Sequence, residues 1–130
     1  MSLKDLSIDE VDALLEGHPF PYDYTYTDYR TNKPVRNVGE SFGWDHVYSA
    51  IAYNGAVLSV PGLGNVTHLD EHGGEGQGDQ YWFIFEVTDG ETTRVFKRDG
   101  WYASHDGGYY DGPTTEVKPA EKTIIVWEEM

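Results

Sequence analysis

The densest group of side chains able to do chemistry is the stretch HLDEHGGEGQGD, residues 68–79. On a strand, His68, Asp70 and His72 would share one side, because side chains alternate. Two imidazoles and a carboxylate are ligand types that hold zinc or non-haem iron, and His105 would join them if its loop comes close. The stretch is not the HExxH motif, since Leu69 follows His68. Ligand types at permissive spacing are frequent in polar loops, so a solvated turn accounts for the same residues, and no cofactor is implied. Gly73, Gly74, Gly76 and Gly78 could present backbone amides to an anion. There is no GxGxxG and no Lys-Ser/Thr of a P-loop, however, and Glu75 and Asp79 would repel phosphate. Glycines here serve more simply to allow positive φ ahead of a buried strand. Ser104, His105 and Asp106 are consecutive and cannot form a relay, because such triads assemble from distant segments.

Aromatic residues near the two glycine-rich loops suggest a second kind of site. Trp44, Trp101, Tyr102, Tyr109 and Tyr110 offer contact area at little entropic cost, as binding hot spots do. Glu75, Asp79, Asp106 and Asp111 would surround them with negative charge. Taken singly, each ring also suits packing in a core or at a sheet edge.

The bulk charge narrows the partners. Nine basic residues face 23 acidic ones, for a net charge of −14. Nucleic-acid binding needs clustered Lys and Arg, and the only local basic cluster is RVFKR, Arg94 to Arg98. Direct binding to nucleic acid or to an anionic membrane is therefore disfavoured. The acidity itself serves solubility, or mimics a nucleic-acid backbone. There is no cysteine, which excludes disulfides, thiolate zinc sites and a Cys nucleophile. MSLKDLSIDEVDALLEG has no signal-peptide pattern, and no stretch reaches the ~20 apolar residues of a membrane helix. The expectation is a soluble, intracellular protein.

The elements that must position these groups follow from patterning. Ser7-Ile8-Asp9-Glu10 matches a capping box; Ile8, Val11, Leu14 and Leu15 share a helical face, and Gly17 and Pro19 end the helix. Tyr22, Tyr24 and Tyr26 alternate with Asp23, Thr25 and Thr27, which predicts a strand with one aromatic face. Pro34 and Gly39 make residues 31–40 read as a loop. Residues 44–60 fit two patterns: Trp44, Val47, Tyr48 and Ile51 at helical spacing, or a hairpin around Asn54-Gly55. The turn dipeptide favours the hairpin, with Tyr53 facing Ala56 and Ile51 facing Leu58. YWFIFEVT-DG-ETTRVFKR predicts a stronger hairpin, pairing Val87 with Thr92, Phe85 with Arg94 and Phe83 with Phe96. Both of its faces are apolar, so cover on both sides is expected. Trp101 and Tyr102 begin an aromatic strand, and Thr123 to Trp127 reads as a terminal apolar strand.

The order HGGEGQGD, YWFIFEV, VFKRDGWYASHDG, YYDG, EVKPAEKTIIVWE resembles a family of small uncharacterised proteins of tailed bacteriophages. In that family a GGEGxG loop precedes a hairpin, a GYYxSxxG-like segment and a C-terminal EVxPxxK strand. Gly100, Trp101, Tyr102, Ser104 and Gly107 fill the middle motif, with Trp101 in place of its first Tyr. Glu116, Val117, Pro119 and Lys122 fill the last. The resemblance covers about residues 40–130 and leaves out the capped helix and the tyrosine strand. It implies a phage origin, hence the cytoplasm of a bacterial host, and a β-rich fold. The family has no assigned activity, so it implies no reaction.

The expected fold is one α+β domain, mainly β, over residues 1–130. Residues 1–20 supply the helix and lead-in; residues 40–130 supply a β-rich core, an antiparallel sheet or small partly closed barrel. The expected function is that of a non-catalytic acidic phage accessory protein that binds or inhibits a host protein. The alternatives are a DNA mimic, a small-molecule or metal binder using His68, Asp70, His72 and His105, and a minor virion component. Association into a homo-oligomer is left open.

Overall fold

The computed structural model describes residues 2–53, 55–73, 80–103, 107–120 and 125–129. The fold is α+β and mainly β: two helices and a curled antiparallel sheet that forms a half-barrel. Helix α1 (Ile8–Glu16) starts at the expected capping box, with Glu10 N donating to Ser7 Oγ at 3.1 Å and Ser7 N to Glu10 Oε1 at 3.0 Å. Val11 and Leu15 bury its apolar face. Strand β1 (Phe20–Asp28) is the expected tyrosine strand. It pairs with β2 (Lys33–Ser41), which patterning had assigned to a loop. Pro34 and Gly39 are tolerated because a two-stranded ribbon has open edges and because the Tyr22 ring lies directly over Gly39, where a Cβ would sit 2.6 Å from its hydroxyl.

Residues 44–60 do not form the expected hairpin. Helix α2 (Trp44–Ile51) buries Trp44, Val47 and Ile51 at i, i+3 and i+7 against the sheet. That burial outweighs a local turn preference, and Ile51 and Leu58 belong to different elements. Between them a tight turn survives, with Ala56 N donating to Tyr53 O at 2.9 Å; Asn54 lies outside the described residues. Strand β3 (Leu58–Val60) turns at Pro61–Leu63 and pairs with β4 (Gly64–His72).

Strands β5 (Tyr81–Asp89) and β6 (Thr92–Ala103) form the second hairpin in a register two residues from the expected one: Val87 faces Arg94, Phe85 faces Phe96 and Phe83 faces Arg98. Asp89 pairs with Thr92, which makes Gly90-Glu91 the loop, with Gly90 at φ +62°. A shift of two preserves which side chains share a face. Phe83, Phe85, Val87 and Phe96 are accordingly buried together under the helices. Trp82, Ile84 and Val95 on the opposite face are only half-buried, so the hairpin is covered on one side, not both. The sheet order is β3-β4-β5-β6-β7, with β7 (Gly107–Tyr109) on the end of β6 and β8 (Thr114–Val117) pairing its middle. The expected terminal strand is not found in residues 125–127, which are exposed and irregular, Trp127 at 91%; Thr123 and Ile124 lie outside the described residues.

Two arginines of the RVFKR run fasten the layers. Arg94 makes a bidentate pair with Glu116 of β8 (3.0 and 2.7 Å), and its Nη1 donates to the carbonyls of Leu3 (2.8 Å) and Leu6 (2.7 Å). Arg98 is 6% exposed. Its Nε donates to Tyr110 O at 2.9 Å and its Nη1 to Thr114 Oγ1 at 3.1 Å. Asp12 and Glu16 of α1 approach it to 3.8 and 3.7 Å, and its guanidinium lies 4.4 Å from the Trp44 ring centroid. Removing the guanidinium leaves the buried Tyr110 carbonyl and Thr114 hydroxyl without their donor. Arg98→Met should therefore lower the unfolding free energy by about 1–3 kcal/mol in urea titration, whereas Arg36→Met, at an exposed pair with Asp23, should leave the midpoint nearly unchanged. Equal midpoints for the two variants would contradict the central role of Arg98.

Candidate functional site

The far end of β6 shapes the site. Its residues pair with β5 as far as Gly100, then Trp101–Ala103 pair with Gly107–Tyr109 of β7. Gly100 lets the returning chain press close: a Cβ there would stand 2.0 Å from the Tyr109 carbonyl oxygen. The segment after β7 is held by Gly112 N donating to Asp99 O (2.8 Å) and Asp99 N to Pro113 O (3.0 Å). Tyr109, Tyr110 and Asp111 are thereby brought over the start of α2. Together with Trp44, Asp45 and Arg98 they line an open cavity of about 360 Å³.

The cavity has aromatic walls and a negative balance. Trp44 is buried and donates from Nε1 to Glu16 Oε1 at 2.8 Å. Tyr109 is 41% exposed. Trp101 packs beside it, ring centroids 4.7 Å apart, and donates from Nε1 to Asp111 Oδ2 at 3.0 Å. Asp45 and Asp111 lie at the lining. The cation of Arg98 is already shared by Asp12 and Glu16. Burial pushes the Asp12 carboxyl above its ordinary range, opposed by Thr114 and Arg98. The lining thus sets two carboxylates, of Asp45 and Asp111, against one guanidinium, that of Arg98, which lies over the Trp44 ring.

Of the residues singled out by sequence, Trp44, Tyr109, Tyr110 and Asp111 converge here, with Trp101 fixing Asp111. Tyr102 points elsewhere and packs on Tyr81, centroids 5.9 Å apart. Tyr110 is largely core, stacked on Tyr81 and edge-on to Phe83, both at 4.6 Å. Glu75, Asp79, His105 and Asp106 lie outside the described residues. Asp45 and Arg98 were missed: Asp45 reads as an ordinary first-turn acid, and Arg98 as one member of a basic run.

The histidine stretch is arranged differently from its expected alternation. A β-bulge interrupts β4 between His68 and Asp70, leaving Leu69 as the extra residue. His68 and Glu71 face the side of Phe85 and Phe83, while Asp70 and His72 face that of Ile84 and Trp82. The bulge thus splits the proposed ligand set across two faces. His68 Nε2 lies 3.2 Å from Glu71 Oε1, and the His72 ring stacks on Trp82 at 5.7 Å. Among the described residues no group of three His, Asp or Glu is placed to hold a metal ion.

Glu71 also accepts from the Tyr48 hydroxyl at 2.6 Å, tying α2 to β4. Burial, then the hydrogen bond to Glu71, raises the Tyr48 phenol to about 12. Burial raises Tyr110 further still, with Tyr81 adding to it. Both phenols are protonated donors at neutral pH, not bases. Among the described residues no helix is long and apolar enough to cross a membrane. No protein-family model, curated protein or solved structure matches the chain.

A phenol whose folded value is raised contributes stability that is complete below the ordinary phenol range and is lost as pH rises through the folded value. In an absorbance titration of the ten tyrosines, Tyr48 should ionise near pH 12, Tyr110 should follow the exposed rings, and unfolding should accompany them. Tyr48→Phe should remove one late-ionising phenol and cost about 1 kcal/mol at neutral pH, a modest value because Glu71 is partly solvated. Ten phenols ionising together in a chain that stays folded would contradict this geometry.

Proposed function

We propose that the protein is a non-catalytic interaction protein that holds a basic side chain of a partner protein in the cavity between α2 and residues 109–111. The observation that carries this reading is the convergence of Trp44, Tyr109 and Tyr110 with Asp45 and Asp111 around one opening, where Arg98, also in the lining, is already paired with Asp12 and Glu16. Lys and Arg heads are drawn to ring faces and to carboxylates, and the alkyl stem can lie along Tyr109 and Trp101. The net charge of −14 steers a basic surface towards the site and speeds encounter. In the phage setting that the resemblance implies, the partner is a host protein, and occupying its basic surface inhibits or redirects it.

Affinity capture from a bacterial lysate, followed by calorimetry with the recovered partner, tests this. Tyr109→Ala combined with Asp111→Asn should weaken binding about 10- to 100-fold, a tenfold change being about 1.4 kcal/mol. His68→Ala with His72→Ala should leave binding unchanged. Rising salt should weaken the complex. Retention by the Tyr109/Asp111 variant, or affinity indifferent to salt, would sink the proposal.

A further inference from the structure

A second cavity lies away from the aromatic site, where the sheet parts. Leu58 opposite Val66 is the last pair that β3 makes with β4. Beyond it Val57 and Thr67 no longer pair, and β4 runs on through Thr67, His68 and Leu69 with a strand partner on the β5 side only. The end of α2 and the turn that follows close over the gap, held by Ala52 N donating to Tyr48 O and Ala56 N to Tyr53 O, both at 2.9 Å. The space measures about 410 Å³, within the range of small-ligand sites, roughly 300–1,000 Å³. The buried Ile51 forms its floor, and the exposed Tyr53, Val57 and Leu69 stand at its mouth.

Two features of the lining decide what fits. The first is the lack of fixed charge. A quarter of the chain is Asp, Glu, Lys or Arg, 25%, yet among the described residues none of these lines the space. A charged ligand would lose hydration there and gain no counter-ion, so the occupant is neutral. The second feature is His68. Its Nε2 is sealed from solvent and lies 3.2 Å from Glu71 Oε1, out of hydrogen-bond alignment. Glu71 is held in turn by the Tyr48 hydroxyl at 2.6 Å, and the Tyr48 ring stands edge-on to the imidazole at 6.1 Å. A carboxylate on that side keeps the proton of a neutral imidazole on Nε2. The ring therefore lines the cavity with its other edge, where Nδ1 offers a lone pair and has no hydrogen-bond partner among the described residues.

We propose that this cavity binds a small uncharged molecule with a compact apolar body and a hydroxyl group, the hydroxyl donating its hydrogen bond to His68 Nδ1. The apolar body takes the place of water against Ile51, Val57 and Leu69. The hydroxyl is needed because a ligand without a donor would strip Nδ1 of its hydration and return nothing. The site shares no lining residue with the cavity beside Tyr109, so the two can be occupied independently.

Four probes of one shape test the proposal: benzyl alcohol, toluene, benzoate and benzylamine, which share a ring and differ in the group it carries. Each is titrated into the full chain at about pH 8, where an ordinary imidazole is neutral, and binding is read from backbone amide resonances. Benzyl alcohol should give saturable shifts at Ala52, Val57 and Leu69. The other three should bind at least about tenfold more weakly. The His68 Nδ1 resonance should move with benzyl alcohol and stay still with toluene, a readout that needs no variant. His68→Phe should reduce the affinity for benzyl alcohol to that for toluene. Val57→Trp, at the exposed mouth, should block every probe. Failure of benzyl alcohol to saturate these shifts would overturn the proposal, as would shifts centred outside this lining. An unmoved Nδ1 resonance, or toluene or a charged probe binding as tightly as the alcohol, would do the same.

Discussion

A guanidinium cannot be left in an apolar interior without partners of opposite charge and acceptors for its donors. Arg98 is buried beneath the helices, and the requirement is met from every element around it. Asp12 and Glu16 come from α1, the indole face of Trp44 from α2, the Tyr110 carbonyl from the segment that leaves β7, and the Thr114 hydroxyl from the start of β8. Gly112 passes so close that a Cβ there would lie 2.9 Å from Nη1. Meeting the needs of this one cation fixes where both helices rest on the sheet and where Tyr109 and Asp111 emerge. The cavity is a by-product of that arrangement, and its lining sets Asp45 and Asp111 against Arg98.

The molecule divides its tasks by surface chemistry. One side of the sheet is sealed by α1 and α2 around Phe83, Phe85 and Phe96. The opposite side, with Trp82, Ile84 and Val95, keeps partial contact with water. Carboxylates dominate the body, while the ribbon of β1 and β2 is electrically balanced and carries a row of phenols.

Local signals with a single interpretation were legible in the sequence: the Ser7–Glu10 box, the alternating tyrosines and the apolar arms around Asp89-Gly90. What misled were signals that depend on contacts distant in sequence. Asn54-Gly55 is a sound turn dipeptide, but Trp44, Val47 and Ile51 gain more by lying on Phe83 and Phe85 as a helix. Pro34 argued against a strand only because the open edge of a ribbon could not be foreseen. The bulge at Leu69 leaves no mark in composition, yet it reverses the face of every residue after it and dissolves the expected histidine set. The aromatic site was half-visible: Trp44, Tyr109, Tyr110 and Asp111 were named from residue type, whereas Asp45 and Arg98 acquire meaning only from burial and neighbours.

The clasp made by Arg94 has a bearing on how the chain is made. Its hydrogen bonds reach back to Leu3 and Leu6, 91 and 88 positions earlier, and Arg98 likewise reaches back to α1. On the ribosome the amino-terminal helix is synthesised first and waits for its anchors until β6 has emerged. Throughout that interval Val11 and Leu15 have no permanent cover, and the dense acidity of Asp5, Asp9, Glu10, Asp12 and Glu16 keeps the nascent segment in solution. Two of these carboxylates, those of Asp12 and Glu16, later pair with the buried Arg98.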